Sequence, residues 1–143
     1  ESVVDEVLVA LGAEATGIME VMYKSTVAYC KDRKQFGVPI ASFQVLQHRM
    51  VDMFMEYEQF KSLTYMTTMT QASARPLTRA AAGLKWLLGR SGRVIAQSAI
   101  QNHGGMGMTE ELAISHYFKR LTMIDLMLGN GDHHLERYRT LPA

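Results

Sequence analysis

One cysteine, Cys30, in a chain of 143 residues excludes an internal disulfide framework and points to a reducing compartment. Charge of one sign is missing too. Lysine and arginine total 15 against 14 acids, interspersed, for a net charge of +1, so the clustered basic excess of a nucleic-acid surface is not there. No apolar run is long enough to span a bilayer, and no signal peptide is visible. No segment alternates with the two-residue period of a strand, and no repeat or low-complexity tract occurs. What is abundant is apolar: 48% hydrophobic against 20% charged residues describe one globular domain large enough for a core. The 11 methionines fall mostly on apolar helical faces and read first as core and interface, second as a ligand lining. The chain opens on Glu1 and reads as helix within a few residues, as expected of a piece of something longer.

Helical periodicity organises nearly everything. From about Asp5 to Lys34, the residues Val7, Leu8, Leu11, Ala15, Ile18, Met22, Ser25 and Tyr29 recur at three- and four-residue steps and predict one buried stripe. Gly12 and Gly17 within it read as sites of close helix crossing. Gly37 and Pro39 break the pattern. Ser42 is the expected cap of a second helix, from about Phe43 to Ala72, with Leu46, Met50, Met53, Phe54, Tyr57, Phe60, Leu63 and Met66 inward. A short connection from Ser73 to Thr78 leads to a third helix reaching about Asn102, with a kink or close contact at Gly89, Ser91 and Gly92. A fourth runs from about Glu110 to Leu128, with Ile114, Tyr117, Phe118, Leu121, Ile124 and Leu126 inward. Gly129, Asn130 and Gly131 end it, and a short fifth helix with Asp132 as cap extends to about Arg139. The predicted fold is all-α: an antiparallel four-helix bundle with a short extra C-terminal helix.

Chemistry concentrates in two breaks. Gly104, Gly105 and Gly107, after Gln101, Asn102 and His103, leave backbone with no side chains in front of it. Thr109 reads as a cap for the next helix, with Glu110 and Glu111 in its first turn. The bend is either a tight interhelical turn or a surface that receives a ligand. Arg33, Gln35 and Phe36 sit where the first helix ends. An arginine there suits a helix C-terminus, and with an exposed ring it also suits a phosphate and a planar heterocycle. Phe43, Gln44 and Gln47 open the next helix, either as donors to such a heterocycle or as solvated positions.

The segments Ala28 to Ile40, Phe43 to Gln47 and Gln101 to Gly107, in this order and with a long helix between the last two, resemble the acyl-CoA dehydrogenase family. The resemblance covers essentially the whole chain and matches that family's C-terminal helical domain, with its upstream helical and beta domains absent. It implies an oxidoreductase that takes a proton and a hydride from the alpha and beta carbons of an acyl-CoA, with FAD placed between subunits. It implies that Arg33, Gln35 and Phe36 contact the FAD of a neighbouring subunit, that Phe43, Gln44 and Gln47 lie along it, and that Gln101, His103, Gly104 and Gly105 pack against its adenosine half. It further implies an acyl-CoA substrate, self-association as dimers or tetramers, an electron-transfer acceptor, and a cytoplasmic or mitochondrial-matrix location. An isolated domain is expected to bind little FAD, since the family's site also needs an upstream beta domain.

The base that abstracts the alpha proton is where this chain departs from the family. The usual glutamate position falls on Leu128, and the alternative on the first helix falls on Val7, beside Glu6. Neither leucine nor valine takes a proton. Three readings stay open: a displaced base at Asp132 or Asp125, Glu6 if the register shifts by one, or no base in this chain and pairing with an unlike catalytic subunit. The ending Leu128-Gly129-Asn130-Gly131-Asp132-His133-His134-Leu135 resembles bacterial members that act on bulky or unusual acyl-CoAs. His133 and His134 invite a metal reading with Asp132, His103 or His116, but neighbours on a helix point about 100° apart, and no metal site is expected. A helical interaction module without cofactor is the reading that needs no resemblance.

Overall fold

The computed structural model describes residues 2–73 and 76–141. Residues 74 and 75 of the connection expected between Ser73 and Thr78 lie outside the described residues. Five helices follow one another: α1 (Ser2–Asp32), α2 (Gln44–Gln71), α3 (Thr78–His103), α4 (Ala113–Leu126) and α5 (Gly131–Thr140). The first four run up and down in turn. Thr16 and Thr64 hydroxyls meet at 3.0 Å between the antiparallel α1 and α2. The starts of α1 and α3 also meet, Thr78 Oγ1 donating to Asp5 Oδ2 at 2.7 Å, so these two helices run parallel. The all-α bundle expected from periodicity is the observed architecture. Among the described residues no helix is long and apolar enough to cross a membrane.

The core is one cluster fed by four helices: Leu11, Ala15, Ile18, Met19 and Met22 from α1, Met53, Tyr57 and Phe60 from α2, Leu84, Leu88, Ile95 and Ala99 from α3, and Ile114, Leu121 and Ile124 from α4. Three methionines, Met19, Met22 and Met53, are buried in it, where an unbranched thioether fills irregular gaps. Others, including Met55, Met66, Met69 and Met108, are exposed, as are Val7, Phe54 and Leu126, which periodicity placed inward. The stripes are therefore narrower than the apolar pattern, and the surplus faces outward.

The ends of the elements differ from expectation more than the elements do. Lys34–Gln35 (β1) and Val38–Pro39 (β2) pair as a minimal antiparallel hairpin that no alternation signalled. Ser42 does not cap α2: its hydroxyl turns back to Pro39 O at 2.7 Å, and the extended Phe43 precedes the helix with no side-chain cap bond. Thr109 likewise donates back to Met106 O at 2.8 Å, and α4 starts only at Ala113, so Glu110 and Glu111 are not in its first turn. Asn130, not Asp132, caps α5 by accepting from His133 N at 3.0 Å, because the helix already starts at Gly131.

The glycines of α3 make contacts, not a kink, for the helix is continuous across them. A Cβ on Gly89 would stand 2.5 Å from Asp125 Oδ1 and 3.3 Å from Gly131 Cα. The turn between α4 and α5 thus lies directly on the α3 backbone. Gly12 is a close crossing as expected, its Cβ position lying 2.6 Å from Leu84 Cδ2. Gly17 is not, for none of the described residues lies within 4 Å of its Cβ position. Gly89→Ala is therefore expected to destabilise the chain by ~1–3 kcal/mol through overpacking. Gly17→Ala is expected to be neutral or stabilising by up to ~1 kcal/mol through helix propensity. Urea unfolding midpoints check this, and a Gly89→Ala midpoint no lower than that of Gly17→Ala would contradict it.

Candidate functional site

The first corner is built where α1 stops. Arg33 N still bonds Tyr29 O at 2.8 Å, and Arg33 O accepts from Ile40 N at 2.8 Å, closing the hairpin onto the helix end. Both turn residues have positive φ, Phe36 at 55° and Gly37 at 82°, which is the backbone of a two-residue turn matched to strand twist. For phenylalanine this left-handed conformation costs about 1–2 kcal/mol. The side chain gains little in return, being 92% exposed, with one edge-on ring contact to Phe43 at 6.1 Å. Among the described residues the Arg33 guanidinium has no carboxylate or carbonyl partner.

The second corner is built where α3 stops. Gly104 has φ 60° and ψ −141°, a conformation open essentially to glycine alone. The chain then coils through a 3₁₀ turn, Gly104–Met108. Gly107 is demanded by packing, since a Cβ there would lie 2.9 Å from Ile100 O. Gly105 is demanded by nothing among the described residues: its φ is not positive and its Cβ position meets none of their atoms within 4 Å.

Because α1 and α3 run parallel, the two corners meet. The Tyr29 and His103 rings stack at 4.3 Å. Between the corners opens a groove of ≈ 490 Å³, lined by Arg33, Gln35, Gln101, His103, Gly104 and Gly105. Phe36, Phe43 and Gln44 do not line it. They stand beside it on the hairpin and the start of α2, all exposed. Gln47 is occupied as a brace, Nε2 donating to Ala41 O at 2.8 Å. Sequence reasoning missed Asn102 as a site residue. It also lines the groove, and its Oδ1 is buried with no partner among the described residues.

The candidates for a proton-abstracting base fall elsewhere. Asp125 and Asp132 line a cleft with Gly89, Arg90 and Arg93, and Gly89 is about 18 Å along α3 from Gln101 at 1.5 Å per residue. The Asp125 carboxylate is already engaged, accepting from Gly131 N at 3.2 Å and lying 3.7 Å from Arg93. Asp132 and Glu6 are exposed, and Glu6 accepts from the Ser2 hydroxyl at 3.4 Å. The buried carboxylate of α1 is Asp5, which ties Thr78 and Arg137 together at the far end of the bundle. Leu128 has φ 58° and is 46% exposed, and Val7 is 40% exposed. His133 and His134 rings meet edge-on at 5.0 Å, but only His134 is buried, its Nε2 donating to Leu128 O at 2.9 Å.

Lys85 escaped the sequence reading altogether. Its ammonium is buried, and burial pushes its pKa down to about 8, with Asp125 opposing. The signal was its register: four residues after Ala81 and three before Leu88, it falls on the buried stripe of α3.

Residues 8–139 match the family described as acyl-CoA dehydrogenase, C-terminal domain. The chain is 32% identical over 137 residues to the acyl-CoA dehydrogenase IpdE2 of Mycolicibacterium smegmatis, which covers 96% of this chain and 42% of that protein. It superposes on butyryl-CoA dehydrogenase from Megasphaera elsdenii with a TM-score of 0.90 at 27% identity, over 94% of this chain and 35% of that one. It also superposes on PigA with FAD and proline, with a TM-score of 0.86 at 25% identity, over 92% and 34%. The chain thus spans between 34% and 42% of the length of these relatives.

The groove's histidine makes the fold sensitive to acid. His103 Nδ1 donates to Ala99 O at 2.8 Å, which fixes the neutral tautomer. Burial holds its pKa below the ordinary value, and the Ala99 hydrogen bond opposes this only in part. Burial does the same to His134. As pH falls below about 6.5 the unfolded chain takes up these protons first. The stability they contribute is complete above that pH and is lost as pH falls toward the folded values. Thermal midpoints are expected to drop between pH 7 and pH 5, and less steeply in His103→Gln; equal slopes in the two proteins would contradict this.

Proposed function

The chain belongs to the acyl-CoA dehydrogenase family, as its C-terminal helical domain, and from that premise we propose that it is the FAD-binding and oligomerisation domain of an enzyme oxidising an acyl-CoA to the 2,3-enoyl-CoA. The observation that carries this reading is the meeting of an unpaired arginine and a bare glycine bend on one open groove. Arg33, with no partner among the described residues, is free to hold a phosphate with two parallel donors. Gly104 and Gly105 let a flat or anionic group reach the backbone, and packing among the described residues gives Gly105 no other reason to lack a side chain. Gln101, exposed on the same wall, offers polar atoms to the groove. Phe36, held outward in a strained backbone, and Phe43 and Gln44 beside it are placed to meet what a neighbouring subunit brings. FAD, when bound, supplies the hydride acceptor.

Self-association is supported by α2, which buries Met53, Tyr57 and Phe60 on one face yet exposes Val51, Phe54, Met55, Met66 and Met69. Apolar surface on this scale is a feature of interfaces. The remaining partners in this reading are the acyl-CoA, the electron-transfer acceptor, and the upstream helical and beta domains that complete the flavin site.

A second reading, a subunit that completes a partner's flavin site without its own base, is favoured by Leu128 and Val7. Abstracting an alpha proton needs a carboxylate in dry surroundings. Asp132 and Glu6 are open to solvent, and Asp125 is engaged with Gly131 and Arg93.

Gly105→Val and Arg33→Gln test the groove. Each is expected to lower the flavin bound per subunit in the assembled oxidoreductase by about tenfold or more, equivalent to ~1.4 kcal/mol. The thermal midpoint of the chain itself should barely change, since among the described residues the Arg33 guanidinium makes no bond and a Cβ at 105 meets no atom within 4 Å. Visible absorbance of the purified proteins gives the flavin ratio, and a wild-type ratio in both variants would overturn the groove as the flavin site.

A further inference from the structure

Leaving α4 orphans two carbonyls. Met127 is extended and Leu128 has φ 58°, and among the described residues neither Leu128 N nor Gly129 N bonds back to Ile124 O or Asp125 O. Lys85, reaching across from α3, replaces them. Its Nζ donates to Ile124 O at 2.8 Å, Asp125 O at 2.7 Å and Gly129 O at 2.8 Å. An ammonium has three donors and no acceptor, so all of its capacity is spent here. The first two acceptors lie on the helix end and the third lies beyond the departing residues, so one buried cation closes the backbone on both sides of Met127 and Leu128. His134 secures the carbonyl between them by donating to Leu128 O at 2.9 Å. With its flanking carbonyls held from within, residue 128 points its side chain outward, half exposed.

A methionine at 85 would fill the same space without burying a charge. We propose that Lys85 is a positioning residue: it sets the course of Met127 to Gly129 so that the side chain at 128 is presented at one fixed place on the surface where this domain meets the acyl-CoA. This rests on the dehydrogenase reading for the identity of what faces residue 128, and on the three carbonyl bonds for the positioning itself. In this chain Leu128 offers the substrate an apolar wall. A carboxylate introduced at 128 would be held in the same place.

Two experiments separate the two claims. Hydrogen exchange of the chain carrying Lys85→Met, read by mass spectrometry, is expected to speed up about tenfold or more at the amides of Met127 to Gly131 while α1 and α2 stay protected. Unchanged exchange there, or a uniform rise over the whole chain, would overturn the positioning role. Should Lys85→Met not fold, the unmodified chain still decides: a buried ammonium with three acceptors gives a slowly exchanging Nζ–H signal in nuclear magnetic resonance at pH 6, and rapid exchange with water would overturn the claim. In the assembled flavoprotein, Leu128→Glu is expected to speed bleaching of the flavin by an acyl-CoA. Adding Lys85→Met should slow that bleaching about tenfold with acyl-CoA binding unchanged; equal bleaching with and without Lys85 would overturn the positioning role. Local loosening in Lys85→Met together with no bleaching in Leu128→Glu would instead remove the dehydrogenase reading and leave the lysine clamp standing.

Discussion

Two parallel helices, α1 and α3, are tied at both ends, and the candidate site exists because of it. At one end Asp5 accepts from Thr78 and Arg137, so the helices start level. At the other, Tyr29 and His103 stack, so they finish level. Polar partners bury the carboxylate at low cost, and the ring stack adds about 0.5–1.5 kcal/mol beyond its area. Once both helices stop at the same height, the two breaks in the chain cannot avoid each other. An arginine corner and a glycine bend, remote in sequence, become the walls of one groove.

The bundle was legible because long amphipathic helices repeat their signal many times, from Leu8 to Met22 in α1 and from Leu84 to Ile95 in α3. The glycine bend was legible because such a cluster is out of place in a helical chain. At the Arg33 corner residue chemistry left two readings open, a helix C-terminal cation or a phosphate and ring site, and only the likeness chose between them. The helix caps were misread because Ser42 and Thr109 have the right chemistry but spend it backwards, on carbonyls three residues earlier. The hairpin gave no sign, since its turn places phenylalanine where asparagine or glycine is usual. Lys85 and Asp5 were overlooked because a single charged residue in a helix normally reads as solvated. Only their register on the buried stripes, which is a weak signal for one residue, marked them as interior.

The misplaced apolar residues carry the most functional meaning. Val7, Phe36, Phe54 and Leu128 are each exposed where pattern or chemistry would hide them. Phe36 and Leu128 are also the two non-glycine residues with positive φ among the described residues. In both cases the backbone accepts strain to hold a side chain outward. Such strain persists only where surrounding structure over-determines it: the hairpin and Arg33 O at Phe36, Lys85 and His134 at Leu128. The domain thus reads as a rigid frame that presents two separate points to something outside itself, one beside the groove and one at the turn between α4 and α5.

The groove is the claim on which the flavin reading stands or falls. A crystal structure of the assembled flavoprotein with FAD bound measures it most directly. The predicted result is a phosphate or adenosine oxygen of a neighbouring subunit's FAD within about 3 Å of the Arg33 guanidinium, with the same nucleotide lying against Gly104 and Gly105. A groove filled by protein side chains, with the flavin bound away from both corners, would contradict it.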